Sequence, residues 1–219
     1  MVSGTRKTKR TPEQTGSYHH GDLRKALIEA ALELSAEGRG WEFSLREVAR
    51  RAGVSHNAPY NHFAHKRELM SAAAVAGHEL LRGELNESAA KFKDPRKALR
   101  AMGSAYLRFG LTNPALYRLM FSAAISGPDW KPESVVDCGV ATRALLEDVL
   151  LRGARSGVFS TALTRNSEVQ VTALSMWAAV HGFTTLAIDG LANIDHKSIE
   201  ESADKFAQMM ASTVTTKKR

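Results

Sequence analysis

Apolar side chains recur at helical spacing along almost the whole chain, and no run alternates apolar and polar residues between turn signals for long enough to make a strand. Leu23, Leu27, Ala30, Ala31 and Leu34 share one face of a first helix, which Gly38-Arg39-Gly40 stops. Ser44-Leu-Arg-Glu47 has capping-box spacing and opens a short helix carrying Leu45, Val48, Ala49 and Ala52, which Gly53 ends. Asp94-Pro95 and Asn113-Pro114 mark two more starts, each a capping side chain before a proline whose missing N–H is not needed in the first turn. Beyond a loop around Gly127–Pro132, helices are expected near 133–155, 166–188 and 197–214. The chain is predicted to be all-α, with no internal repeat.

Composition narrows the function classes. One cysteine in 219 residues excludes a disulfide scaffold and a multi-cysteine zinc cluster, and it suits a reducing, cytoplasmic setting. The first residues carry charge without an apolar stretch behind them, so no secretory signal is expected. The greasiest window, Val169 to Ile188, contains Gln170, Thr172, Ser175 and His181, which predicts a buried helix and no membrane span. The formal charge of +7 is unevenly placed: +3 in residues 1–16, +3 in Lys217-Lys218-Arg219, and near balance between. That permits a nucleic-acid partner without establishing one. Residues 1–17 have almost no apolar side chains and are expected to be a disordered basic arm; residues 216–219 form a basic tail.

Residues 44–63 are the most informative stretch. Two short helices are separated by a three-residue turn that begins with glycine, the layout of a helix-turn-helix. Ala49 must be small because the second helix crosses close by. Gly53 supplies a positive φ, Val54 plugs the corner, Ser55 is placed to cap the second helix, and Phe63 anchors its far end. Pro59 deletes an early hydrogen bond, so that second helix is expected to start late or be short.

These residues resemble the TetR family of bacterial transcriptional regulators. The likeness runs from about Tyr18 to Met70, through the first amphipathic helix, Ala52-Gly-Val-Ser55, and Tyr60-Asn-His-Phe63-Ala-His-Lys66-Arg-Glu-Leu69-Met70. It implies a three-helix DNA-binding head over 18–66 and a helical ligand-binding and dimerisation domain over 67–215. By the same resemblance, His56, Asn57 and Ala58 face bases, and Tyr60, Asn61 and His62 lie along phosphates or base edges. Ser44, Ser55 and Lys66 are then expected on phosphates. A metal role for His56, His62 and His65 is not expected, because no carboxylate or cysteine completes a set. Arg6, Lys7, Lys9 and Arg10 suit either a minor-groove arm or a solvated tail.

Trp177-Ala-Ala-Val-His181-Gly182 is similar to the Trp-His-Gly signature of one subgroup of that family. Tyr106, Phe109, Tyr117, Phe121, Trp130, Trp177 and His181 are the candidate lining of a small-molecule pocket, with plain core packing as the alternative. Ala178, Gly182 and the stripe Ile199, Phe206, Met210 are the expected dimer interface. No nucleophile elbow, phosphate loop, zinc-protease pair or dinucleotide fingerprint is present, so neither an enzyme nor a cofactor is expected. The expected whole is a homodimeric, ligand-responsive regulator, more often a repressor in this family, that binds a pseudo-palindromic operator on double-stranded DNA and is released by a small apolar effector. The alternative is a helical small-molecule carrier with a vestigial head.

Overall fold

The computed structural model describes residues 20–126, 133–192 and 199–215. The basic arm, Trp130 and the basic tail lie outside them, as does the side chain of Ile199. Helix α1 (His20–Leu34) buries Leu27, Ala30, Ala31 and Leu34, then widens into a turn, Ser35–Arg39, in which Gly38 takes φ 91°. A loop carrying Trp41 and Phe43 leads to α2 (Leu45–Arg51). Its capping box is reciprocal: the Ser44 hydroxyl accepts from the Glu47 amide at 3.2 Å, and the Glu47 carboxylate accepts from the Ser44 amide at 2.7 Å. Gly53 turns the chain at φ 69°, and a Cβ there would meet nothing within 4 Å, so the backbone conformation is what calls for glycine.

The expected second helix is a single 3₁₀ turn, Ala58–Asn61. Pro59 brings no N–H to it, and its carbonyl accepts from the His62 and Phe63 amides at 3.0 and 2.9 Å. Ser55 does not cap this turn through its hydroxyl. The chain already turns at Ser55, whose carbonyl accepts from the Ala58 amide at 3.0 Å, so Asn57 stands at the cap position instead. Phe63 closes the far end and is buried.

Helix α3 (Lys66–Ala90) has 25 residues and is about 37 Å long at 1.5 Å per residue. It begins in the head and continues without a break into the body, so the boundary expected between residues 66 and 67 falls in its first turn. His65 gives no side-chain cap; Glu68 reaches back to the Ala64 amide at 2.7 Å. The body adds α4 (Pro95–Thr112), α5 (Pro114–Met120), the single turn α6 (Ala123–Ser126), α7 (Glu133–Arg155), α8 (Asn166–Ile188) and α9 (Ile199–Val214). Helix α3 packs against α4, α5 and α7, and α4 packs against α8 and α9. Among the described residues, β structure is limited to one bridge, Phe159 with Thr215.

Asp94 caps α4 as expected, accepting from the Arg96 amide at 2.9 Å. Asn113 does not cap α5. It is the one residue between α4 and α5, and its amide turns back to donate to the Phe109 carbonyl at 3.1 Å. Helix α8 also departs from expectation, because it is not buried all round. Val169, Ala173, Met176 and Thr184 face inward, whereas Val171, Leu174, Ala178 and Leu186 are exposed on the opposite face. By length and composition it is the one helix among the described residues apolar enough to cross a membrane, at mean hydropathy 1.4.

Candidate functional site

Two arrangements carry chemistry: an outward polar face on the head and an apolar cavity in the body. In the head, Ser44, Ser55, His56, Asn57, Tyr60 and Asn61 are exposed, while Ala58 and His62 are half-buried. Tyr60, an aromatic ring 50% exposed, stands out on a turn otherwise made of Ala58, Pro59 and Asn61. Behind this face, Val48, Ala49 and Phe63 are buried and hold α2 and the 3₁₀ turn in fixed relation to α1. The Ser44 hydroxyl lies 3.0 Å from the Glu47 carboxylate, so it is occupied by its own capping box. Arg51 pairs at the surface with Glu33 of α1 at 3.3 Å and with Glu37 of the turn that follows it.

Lys66 is placed differently from a free phosphate ligand. It is half-buried, its ammonium donates to the Trp41 carbonyl, and its nitrogen lies 5.2 Å from the Phe43 ring centroid. The Trp41 indole N–H in turn donates to the Ala115 carbonyl of α5 at 3.0 Å. Trp41 therefore joins the head to the body, a role sequence reasoning missed. A tryptophan in the loop between two amphipathic helices was its only visible signal.

The cavity lies between α3, α4, α7, α8 and α9. Its volume is about 80 Å³. Leu81, Met102, Leu146, Met176 and Val180 are among the apolar side chains on its wall. Of the residues expected in a pocket, Tyr106, Phe121 and Trp177 line it, and Phe109 is buried away from it. Tyr117 and His181 stand just behind the wall. Phe206 and Met210, expected at a dimer interface, line the cavity. Helix α9 lies along α4, and Gly103 of α4 lets it come so close that a Cβ there would sit 2.9 Å from that of Ala207, which turns this stripe inward. Ala178 is exposed and Gly182 half-exposed on the outer face of α8.

Trp177 and His181, one turn apart, meet Tyr106 and Tyr117 in a closed polar cluster. The Trp177 N–H donates to the Tyr106 hydroxyl at 3.1 Å. The Tyr117 hydroxyl is 2.6 Å from His181 Nδ1 and 3.3 Å from the Tyr106 oxygen. Desolvation holds His181 below the ordinary imidazole range, so the ring is neutral and its Nδ1 accepts from Tyr117. Burial also raises both phenols, Tyr117 to about 12 and Tyr106 further, which keeps each a donor near neutral pH. These rings back the cavity wall and satisfy one another's polar atoms.

Residues 99–211, more than half of the chain, match the family model described as tetracyclin repressor-like, C-terminal domain, and residues 27–73 match that of bacterial regulatory proteins, tetR family. The chain belongs to the TetR family. It is accordingly a transcriptional regulator with a helix-turn-helix DNA-binding domain and a ligand-binding C-terminal domain, and it is not an enzyme. Solved structures agree over almost the whole length. A protein of unknown function from Rhodococcus sp. RHA1 is 27% identical, with TM-score 0.76, covering 91% of this chain and 98% of that one. A transcriptional regulator from the same organism is 26% identical, with TM-score 0.64 and coverage of 89% and 99%. The fatty acid degradation regulator FadR from Bacillus halodurans shares the fold at 13% identity and TM-score 0.69, covering 93% of this chain and 97% of that one.

Proposed function

We propose that this TetR-family regulator is a cytoplasmic homodimeric repressor that binds a pseudo-palindromic operator and is released by a small, largely apolar effector held in the cavity. The observation that carries the reading is the mechanical continuity between the two arrangements. Helix α3 begins under the head at Lys66 and lines the cavity about three to five turns later. Helix α5 is held at one end by Trp41, through the Ala115 carbonyl, and at the other by a hydrogen bond between His78 of α3 and the Met120 backbone. A molecule in the cavity that displaces α3, or Phe121 just beyond the end of α5, therefore also shifts the elements that hold Trp41 and the head. It shifts the population only as far as it binds the two shapes with different affinity.

On the head, His56, Asn57 and Ala58 are assigned to base edges, and Tyr60 and Asn61 to the phosphate backbone. The docked 3₁₀ turn is short enough that readout rests on two or three side chains. The second copy is assigned to the outer face of α8. Val171, Leu174, Ala178, Gly182 and Leu186 recur there at steps of three and four, and Val171 is 63% exposed. An apolar stripe of this length on a lone chain calls for a cover, and two such helices crossing in a dimer supply one. Operator footprinting, with and without apolar candidate effectors, tests the reading. Protection of two half-sites that is lost on adding one of them is expected, and protection indifferent to every such compound counts against release by an effector.

A further inference from the structure

Four polar or charged residues are buried among the described ones: Ser35, Ser71, His78 and Thr184. The three hydroxyls donate to carbonyls three or four residues earlier, those of Leu32, Arg67 and Val180, at 2.7, 3.0 and 2.7 Å. His78 differs. It is 4% exposed, it stands on the cavity wall, and its Nδ1 meets no hydrogen-bond partner. The Met120 backbone, at the C-terminal end of α5 where helix carbonyls lack intrahelical partners, lies against the ring and favours a proton on it. Gly77 makes that contact possible: a Cβ there would come within 2.8 Å of the Met120 sulfur and 2.9 Å of Leu116. With Nδ1 unpartnered and the Met120 carbonyl beside the ring, the proton is assigned to Nε2, which leaves a lone pair on Nδ1.

Other polar groups on the wall are already engaged. Tyr106 and Trp177 bond each other, the Thr142 hydroxyl donates to the Cys138 carbonyl at 2.8 Å, and Arg143 pairs with Glu147 at 3.1 Å. Around His78 the surroundings are apolar, with the Phe121 ring edge-on at 5.4 Å between centroids. We infer that the cavity takes a neutral, mostly apolar molecule bearing one O–H or N–H donor, and that His78 Nδ1 accepts that donor's hydrogen bond. This rests on the effector reading of the cavity. Desolvation holds His78 below the ordinary imidazole range, so an anionic group placed at His78 would face a lone pair instead of a cation, and Arg143, the cation on the wall, is paired with Glu147.

The test uses the full chain and three probes of nearly equal shape: p-cresol, which donates; p-methylanisole, which only accepts; and p-xylene, which does neither. Titration calorimetry is expected to give p-cresol an affinity about tenfold above p-xylene, equivalent to about 1.4 kcal/mol, with p-methylanisole no better than p-xylene. In His78→Phe the three should converge within about twofold. Nitrogen resonances of isotope-labelled histidine supply a readout on the unmutated protein, should that variant fail to fold: His78 Nδ1 moves with p-cresol and not with p-xylene. Equal affinities for p-cresol and p-xylene, or an unmoved Nδ1 with p-cresol bound, mean that Nδ1 is satisfied by water and overturn the inference while leaving the cavity a ligand site. Preference for p-methylanisole places the proton on Nδ1 and overturns it equally. Binding of none of the three overturns both this inference and the effector reading.

Discussion

Replacing Lys66 with Met separates a structural role from a phosphate contact at the residue where the sequence and the structure pull apart. The methionine keeps most of the stem's apolar packing and removes the charge. Two interactions vanish: a charge-assisted hydrogen bond to the Trp41 carbonyl and a cation over the Phe43 ring at 5.2 Å. Hydrogen bonds to charged groups are worth about 1.5–3 kcal/mol net, and a partly exposed cation–π contact about 0.5–1 kcal/mol. The two share one ammonium, which is half in solvent, so their sum overstates the loss and about 2 kcal/mol is the working value. For a chain of this size, 1 kcal/mol moves Tm by about 2–4 °C, which sets the expected drop at about 4–8 °C. Circular dichroism melting reads that directly, and the slope of log affinity against log salt on the operator reads the phosphate role independently. Each lost phosphate contact reduces the slope by about 0.9. A lower Tm with little change in slope is the expected pair of results. An unchanged Tm with a slope reduced by about one contact per copy would show Lys66 on the DNA and refute the argument from Trp41.

Three further perturbations probe separate parts of the account. Tyr60→Ala, at a ring half in solvent, should leave stability within about 0.5 kcal/mol and weaken operator binding more than tenfold in a mobility-shift assay; retained binding would remove Tyr60 from the interface. Leu174→Arg, on the exposed face of α8, should convert a dimer to a monomer by sedimentation, and an intact dimer would place the second copy elsewhere. Burial lowers His78 and His181 in the folded chain, so the unfolded chain binds more protons as pH falls through the ordinary value of 6.5. The stability these neutral rings contribute is present above pH 6.5 and is lost progressively below it. Thermal melts across that window should therefore fall with acid, less steeply in His78→Phe, and a flat profile would contradict the neutral assignment.

The head was legible because local rules and tertiary packing agree there. Ser44 and Glu47 face each other at the spacing a capping box needs, Gly53 takes the positive φ the turn needs, and Phe63 is buried where an anchor was expected. Pro59 explained in advance why the second helix is only a turn. What sequence alone could not supply was direction. The Phe206–Met210 stripe has the right period for an interface, but period does not say which neighbour it meets, and the close approach at Gly103 faces it inward. Helix α8 departs in the opposite sense, since a hydropathy window cannot tell a helix buried all round from one with an exposed apolar face. Lys66 fitted a surface motif, yet its ammonium finds a carbonyl 25 residues away. His78 left only a faint trace, a polar residue one turn before Leu81 on an otherwise apolar face, and its importance depends on where α5 ends.

The central claim is that the exposed face from Ser55 to Asn61, carried twice on one dimer, reads double-stranded DNA. Capture of genomic fragments by the purified full chain, followed by sequencing, addresses it without presupposing an operator. Enrichment of a pseudo-palindrome, lost when Tyr60 is replaced by Ala, is the predicted result. Recovery of fragments with no common sequence, or of a motif that the Tyr60 variant retains, would contradict it.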